Sequence, residues 1–163
     1  MYKMMAAEYK IEDKLDKEIS VVLERAEVYE RAEISFKDFL QNKMLIMMVI
    51  RVGVPYSLFE KVQLFAPFSE EEWADLLDLS TRSLQRYKVA DKSFGPLQSE
   101  KIIEMAEVTQ TGLEVFGDME KFKLWLETPN YALSGKPVEL LKDSYGKELV
   151  ISELTRINYG IFV

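Results

Sequence analysis

The sequence predicts an all-α protein in which a helix-turn-helix region is followed by a small helical domain. Apolar residues recur at helical spacing along almost the whole chain, no repeat or low-complexity tract interrupts them, and only 7 Gly and 5 Pro are present. The 163 residues are 48% hydrophobic and 30% charged, which is the composition of a globular protein with a real core. This length accommodates one domain with an appendage or two small domains.

Residues 1–34 are predicted to form an N-terminal helical extension. Their apolar side chains make one stripe, which consists of Ile11, Leu15, Ile19, Val22, Ala26 and Tyr29. The stripe covers fewer than about three heptads, so a self-sufficient coiled coil is not expected. We expect the helix to dock either on its own domain or on a dimer partner.

Residues 35–95 are predicted to be the helix-turn-helix region, and residues 96–163 a C-terminal domain. The first region should begin with a helix from Phe36 to Arg51 that ends at Gly53 and is buried along its apolar run. Further helices are predicted at 56–66, 97–116, 118–127 and 137–141. A last helix should follow Gly146, with an apolar stripe of Val150, Leu154, Ile157 and Ile161.

One segment has the pattern of a helix-turn-helix motif. Ser69 and Glu72 form a predicted capping box, and Phe68 can pack on Trp73 as a hydrophobic staple. The buried positions of the motif are then occupied by Trp73, Ala74, Leu77, Leu79, Leu84 and Tyr87. Asp78 takes the turn position that is usually glycine, and aspartate tolerates left-handed backbone better than most residues.

The second helix of this motif carries the candidate DNA contacts. They are Ser80, Thr81, Arg82, Ser83, Gln85, Arg86 and Lys88. Arginine can form bidentate hydrogen bonds with guanine and glutamine with adenine, and each such pair contributes ~1–3 kcal/mol of discrimination. The chain has a net charge of −7, but residues 80–101 carry a net charge of +3, with five basic and two acidic side chains. The alternative is a solvated polar helix in an interaction bundle.

The residue inventory argues against catalysis. Cysteine and histidine are both absent, which removes thiol nucleophiles, imidazole bases and Cys/His zinc sites. The acidic run 70–72 is explained by the favourable effect of carboxylates at a helix N-terminus. We therefore expect no catalytic residue, no metal site and no cofactor. No signal-peptide pattern and no apolar run of membrane-spanning length is present, so a cytoplasmic location is expected.

Several short motifs follow one another in a characteristic order. They are Ser80-Thr-Arg-Ser-Leu-Gln-Arg86, Val115-Phe-Gly-Asp118, Trp125-Leu126, Pro129-Asn130, Ala132-Leu133, Gly135-Lys-Pro137, Leu140-Leu141, Gly146 and Arg156-Ile-Asn-Tyr-Gly160. From about residue 36 onward, the chain thereby resembles the Xre/MbcA/ParS antitoxins of bacterial toxin–antitoxin systems. One departure is Ser99-Glu-Lys101, where the family pattern is Ser-Asp-Arg.

The resemblance implies an antitoxin whose C-terminal domain, residues 96–163, binds a toxin. The usual partner in this family is a RES-domain toxin that degrades NAD, and the antitoxin would occupy its substrate pocket. The resemblance also implies that the antitoxin represses its own operon, and we expect it to bind operator DNA as a homodimer. The toxin-binding residues that we expect are Asn130, Leu133, Arg156, Tyr159, Gly160, Ile161, Phe162 and Val163.

The segment after the last helix has two interpretations. Its bulky apolar residues would expose apolar surface unless they are covered, so they either fold back on the last helix or enter the toxin. Two other functions stay open for the whole chain. One is a protein-binding module that neutralises the toxin without binding DNA, and the other is a free-standing transcription regulator.

Overall fold

A computed structural model describes residues 2–27 and 33–160, with only the backbone described at residues 2–5 and 7–9. The all-α prediction is confirmed, because these residues contain ten α-helices and, apart from two isolated bridges, no β-structure. The chain divides into two compact units, Met1–Ala106 and Glu107–Val163. The boundary between these units lies within one helix, and the predicted functional division at 95/96 stays a prediction. Over the described ranges, no helix is long and apolar enough to span a membrane.

The first unit contains the helix-turn-helix segment. Its helices, within the described residues, are α1 (Tyr2–Arg25), α2 (Phe36–Leu40), α3 (Lys43–Val52), α4 (Tyr56–Phe65), α5 (Glu70–Leu76), α6 (Thr81–Ala90) and the first part of α7 (Pro96–Phe116). The bounds of α4 and α7 lie within one residue of the predicted 56–66 and 97–116. The helices that differ from the prediction are α1, α2 and α3.

Helix α1 packs against α2 and α4 of its own unit. Its buried side chains are Leu15, Ile19, Val22 and Leu23. The first three belong to the predicted stripe, in which Ile11 and Ala26 are half-buried. The helix ends at Arg25, earlier than predicted, and Glu27 beyond it has left-handed backbone with φ 56°. The Asp16 carboxylate accepts a hydrogen bond of 2.6 Å from the Phe36 N–H, which ties the start of α2 to α1. Tyr29 of the predicted stripe lies outside the described residues.

The predicted helix from Phe36 to Arg51 is two helices, so that prediction is wrong. Asn42 interrupts it, because its side-chain oxygen accepts a hydrogen bond of 3.2 Å from the Leu45 N–H and caps α3. Asparagine is a favourable N-cap and a poor residue inside a helix. The expected burial of the apolar run is also wrong. Helix α3 buries Leu45 and Val49, while its exposed residues include Met44, Met47 and Val52.

Aromatic rings form the centre of the first unit. Phe59 of α4 contacts Trp73 of α5 edge-on, with ring centroids 5.2 Å apart, and contacts Phe94 at 4.9 Å. Tyr87 of α6 stacks in parallel on Phe94 at 4.6 Å. The hydroxyl of the fully buried Ser99 donates to the Phe94 carbonyl at 3.2 Å. These contacts hold α6 against the core, so its orientation is set by packing.

The second unit contains the end of α7 and three shorter helices. Within the part of the chain that the structure describes, these are α8 (Met119–Glu127), α9 (Pro137–Leu140) and α10 (Ser144–Asn158). Its core includes Phe122, Leu126, Leu141, Val150 and Leu154. Of the stripe predicted for the last helix, Val150 and Leu154 are buried, Ile157 is half-buried and Ile161 falls outside the described residues.

Two glycines allow neighbouring segments of the second unit to pack closely against their backbone. A Cβ at Gly112 would lie 2.3 Å from the Phe122 ring, and a Cβ at Gly146 would lie 1.9 Å from the Leu140 carbonyl oxygen. The sequence predicts that Gly146 precedes the last helix, but α10 begins at Ser144 and Gly146 lies in its first turn. The absence of a side chain at Gly146 therefore allows the first turn of α10 to pack against the backbone at the end of α9.

Gly146→Ala is expected to destabilise the second unit by about 2 kcal/mol or more, because the added methyl group meets a backbone carbonyl that cannot rotate away. Urea unfolding, followed by circular dichroism and by tryptophan fluorescence, measures the effect. Gly135→Ala is the matched control, since the nearest atom to its Cβ is a Glu139 carboxylate oxygen at 3.5 Å. Equal unfolding midpoints for the two variants would contradict the described contact.

Candidate functional site

Helices α5 and α6 and the turn between them have the predicted helix-turn-helix structure. The Ser69 N–H donates to the Glu72 carboxylate at 2.7 Å, and the Ser69 hydroxyl accepts from the Glu72 N–H at 3.1 Å, which confirms the capping box. The staple is present too, with the Phe68 and Trp73 rings 5.6 Å apart. Asp78 has the left-handed backbone expected at the turn, with φ 53°.

The packing inside the motif follows the predicted pattern at most positions. The positions that are buried as predicted are Trp73, Ala74, Leu77 and Leu84. Leu79 and Tyr87 are only half-buried, and Tyr87 covers its ring by stacking on Phe94. This packing leaves one side of α6 exposed.

The exposed side of α6 carries most of the predicted DNA-binding residues. Those exposed are Thr81, Arg82, Gln85, Arg86 and Lys88, together with the capping residue Ser80. The Ser80 hydroxyl accepts from the Ser83 N–H at 3.0 Å, and the Ser83 hydroxyl accepts from the Arg86 guanidinium at 2.9 Å. Both serines therefore have a role in the helix itself. Arg82 and Arg86 are one helical turn apart, so their cations lie on the same face.

Lys101 differs from the other cations of the basic segment. Its ammonium group lies 2.9 Å from the Glu104 carboxylate, and its side chain is only 12% exposed. Lys101 and Glu104 are three residues apart on α7, where opposite charges attract each other. The exposed positive charge of this segment therefore comes from residues 82–92.

Gln85 has a partner that sequence reasoning missed. Its side-chain amide donates to the Glu70 carboxylate at 2.6 Å, which links the middle of α6 to the first turn of α5. From the sequence, Glu70 is explained by the helix dipole alone. The contact depends on how the two helices cross, so no local pattern indicates it. This bond uses one of the two Gln85 amide N–H groups and leaves the carbonyl oxygen unused, so Glu70 orients the side chain without preventing it from reading a base.

In the second unit, Asn130 organises the loop between α8 and α9. Its backbone forms an isolated bridge with Gly135, in which the Asn130 N–H donates to the Gly135 carbonyl at 2.9 Å. Its side-chain oxygen accepts from the Leu133 N–H at 3.2 Å. Ser134 completes the loop in left-handed conformation, with φ 56°. These bonds close residues 130–135 into a small fixed loop.

The same side chain connects the loop to α10. The Asn130 amide donates to the Glu153 carboxylate at 3.4 Å, and the Arg156 Nε–H donates to that carboxylate at 2.8 Å, with a second bond from Arg156 Nη2. Glu153 is buried. Hydrogen bonds from Arg156 hold the pKa of Glu153 below its ordinary value, although burial acts in the opposite direction, and Asn130 adds to the lowering.

The predicted toxin-binding residues are therefore in different environments. Asn130 and Arg156 share the Glu153 carboxylate, and Leu133 is half-buried in the loop that Asn130 closes. Tyr159 and Gly160 follow α10, where the Tyr159 side chain is 76% exposed and Gly160 has left-handed backbone with φ 68°. The remaining predicted residues lie outside the described part of the chain: Ile161, Phe162 and Val163.

Sequence reasoning also missed Glu153. Its spacing of three residues from Arg156 on a predicted helix was a visible signal of an ion pair. Its contact with Asn130 was not visible, because 23 residues separate them and the loop conformation brings them together.

Comparisons with known proteins match both units. Residues 46–107 match the antitoxin Xre-like helix-turn-helix domain, and residues 111–160 match the antitoxin Xre/MbcA/ParS C-terminal toxin-binding domain. The Antitoxin Xre of Yersinia enterocolitica is 28% identical over 115 residues, which cover 69% of this chain and 78% of that protein. A chain in the crystal structure of the M. tuberculosis MbcT-MbcA toxin-antitoxin complex is 25% identical, with a TM-score of 0.53 over 64% of this chain and 94% of its own length.

A helix-turn-helix unit followed by a toxin-binding unit defines an antitoxin of a toxin–antitoxin system. The chain belongs to the Xre/MbcA/ParS antitoxins. The resemblance that the motifs indicated is thereby confirmed, as is the order of the two functional regions.

The lowered pKa of Glu153 predicts that acid weakens the second unit. The carboxyl group has an ordinary pKa of 4.5 and a lower one in the folded chain, so its stabilising contribution is present above that value and is lost as the pH falls through the folded pKa. Glu153→Gln lacks this titration. The gap in unfolding free energy between the wild-type chain and this variant should therefore narrow as the pH is lowered from about 6 to about 3.5.

Thermal unfolding across this pH range measures the gap. Glu148→Gln, which removes an exposed carboxylate from the same helix, is the control for the loss of one charge. A gap between wild-type and Glu153→Gln that is constant with pH would refute the assignment.

Proposed function

We propose that this antitoxin neutralises a RES-domain, NAD-degrading toxin by placing its C-terminal segment in the toxin's active site. We further propose that α6 binds operator DNA, so that the antitoxin represses its own operon as a homodimer. The observation that carries the proposal is the position of the exposed Tyr159, which lies at the end of α10 and of the matched toxin-binding domain.

The geometry of the second unit supports occlusion by this segment. The last turn of α10 is held by the Arg156–Glu153 pair, so the position of Tyr159 directly after the helix is fixed. Tyr159 and Gly160 are exposed there and are available to a partner. The matched M. tuberculosis structure contains a toxin in complex with an antitoxin. The RES class of the toxin rests on the family resemblance.

The exposed side of α6 supports DNA binding. Arg82 and Arg86 lie on one face and can reach phosphates or base edges in a major groove. In a dimer, two such helices would read half-sites about 34 Å apart, which is one turn of DNA. The net charge of the whole chain is −7, so the attraction to phosphate would be confined to this surface.

A second candidate function is neutralisation without DNA binding. The hydrogen bond between Gln85 and the Glu70 carboxylate favours it, because it places a negative charge beside the helix that would approach DNA phosphates. A free-standing transcription regulator is disfavoured, since the toxin-binding domain match covers residues 111–160.

Deletion of Tyr159–Val163 is expected to abolish neutralisation and to leave the helical circular dichroism unchanged. The deleted residues follow the last helix, so their loss removes no helical segment of the described chain. NAD consumption by the purified toxin, measured with and without excess antitoxin, reports the effect. Full inhibition by the truncated chain would refute occlusion by this segment.

Arg82→Ala combined with Arg86→Ala is expected to weaken binding to the upstream promoter by about 30-fold or more, since each bidentate arginine contributes roughly 1–3 kcal/mol. Toxin inhibition should be unchanged. The slope of log affinity against log salt should also become shallower, because phosphate contacts are lost.

The matched control for this pair is Arg25→Ala with Arg51→Ala, which removes two exposed arginines from α1 and α3 and changes the net charge equally. Promoter binding should then stay close to that of the wild-type chain. If neither double variant alters promoter binding, or if the wild-type chain binds no promoter DNA, the result supports the second candidate function, neutralisation without DNA binding.

A further inference from the structure

Tyr131 projects from the second unit without packing on it. Its side chain is fully exposed, at 101% of the reference accessibility. A tyrosine ring in this position contributes nothing to the core and leaves a large apolar surface in water. Tyrosine is also one of the residues most often found at the energetic centre of protein interfaces. The ring therefore has the properties of an anchor for a partner.

The backbone that presents Tyr131 is fixed in place. Residues on both sides are bonded to each other through the Asn130–Gly135 bridge, and the Asn130 side chain accepts from the Leu133 N–H. An anchor on a loop that is already ordered loses little conformational entropy on binding. Beside the ring lies an open groove lined by Pro129, Asn130, Tyr131, Ser134 and Gly135, which can receive a side chain from a partner.

The loop is also joined to the end of α10. Glu153 accepts hydrogen bonds from Asn130 on one side and from Arg156 on the other. Arg156 lies in the last turn of α10, directly before the segment proposed to block the toxin. The loop and the start of that segment are therefore held by one buried carboxylate. A protein that receives the segment in its active site would lie next to the loop as well.

We infer that loop 129–135 is a second toxin-binding element, separate from the blocking segment, with Tyr131 as its anchor and Glu153 as the residue that positions it. The occupant is the toxin itself, in a recess at the rim of its active site. The matched toxin-binding domain includes this loop, and the loop is continuous with the proposed interface through Glu153. This inference rests on the proposed neutralisation of a toxin.

The test is the affinity of full-length variants for the toxin encoded in the same operon, measured by isothermal titration calorimetry. Tyr131→Ala is expected to bind about 30-fold more weakly or worse, as is usual for an aromatic anchor, while Tyr131→Phe should keep most of the affinity. The matched control is Tyr145→Ala, which removes another exposed tyrosine, 85% accessible, from the first turn of α10. It should bind like the wild-type chain.

A chain truncated before Tyr159 keeps loop 129–135 and lacks the blocking segment, so it tests the contribution of the loop by itself. We expect it to bind the toxin without inhibiting it, and we expect Tyr131→Ala in the truncated chain to abolish that binding. Wild-type affinity of Tyr131→Ala, with inhibition by the full-length chain intact, would overturn this inference and leave the proposed function standing. Failure of the wild-type chain to bind or inhibit the toxin would overturn both.

Discussion

The toxin-binding unit depends on one buried carboxylate. Burying the charge of Glu153 costs several kcal/mol unless opposite charge and hydrogen bonds compensate it. Arg156 and Asn130 supply that compensation from two segments that are distant in the sequence. Both residues therefore stabilise the fold whether or not a toxin is bound. Replacing Arg156 leaves the buried charge with only the Asn130 amide, and replacing Asn130 removes one of its hydrogen bonds, so such a variant reports on folding as well as on binding.

The helix-turn-helix unit is organised in a different way. Its interior depends on apolar packing, with Trp73 fully buried between the rings of Phe59 and Phe68. The cations of α6 lie on the outside and take little part in this packing. Surface charges of this kind contribute little to stability. The two units therefore differ in how mutation affects them. The α6 cations proposed to contact DNA can be removed without loss of the fold more readily than the polar contacts of the toxin-binding unit.

Much of the fold could be predicted because it is encoded locally. The Ser69 cap, the left-handed Asp78 and the apolar spacing of α5 and α6 each depend on neighbours within one or two turns. The division between α2 and α3 was local too, because Asn42 is a favourable N-cap, but the apolar spacing after it led to the prediction of one helix. The site contacts were harder to predict. Glu70 meets Gln85, and Asn130 meets Glu153, only after separate elements have packed.

A two-part interface would also explain how a blocking segment that binds weakly by itself can be effective. Once the loop around Tyr131 has docked, the segment that follows α10 meets the active site as a tethered group, at an effective concentration on the order of 1 mM. A segment whose own dissociation constant was about 0.1 mM would then occupy the site about nine-tenths of the time. The loop would set the lifetime of the complex, and the segment would set the degree of inhibition. Affinity and inhibition would therefore reside in different residues that Glu153 holds together.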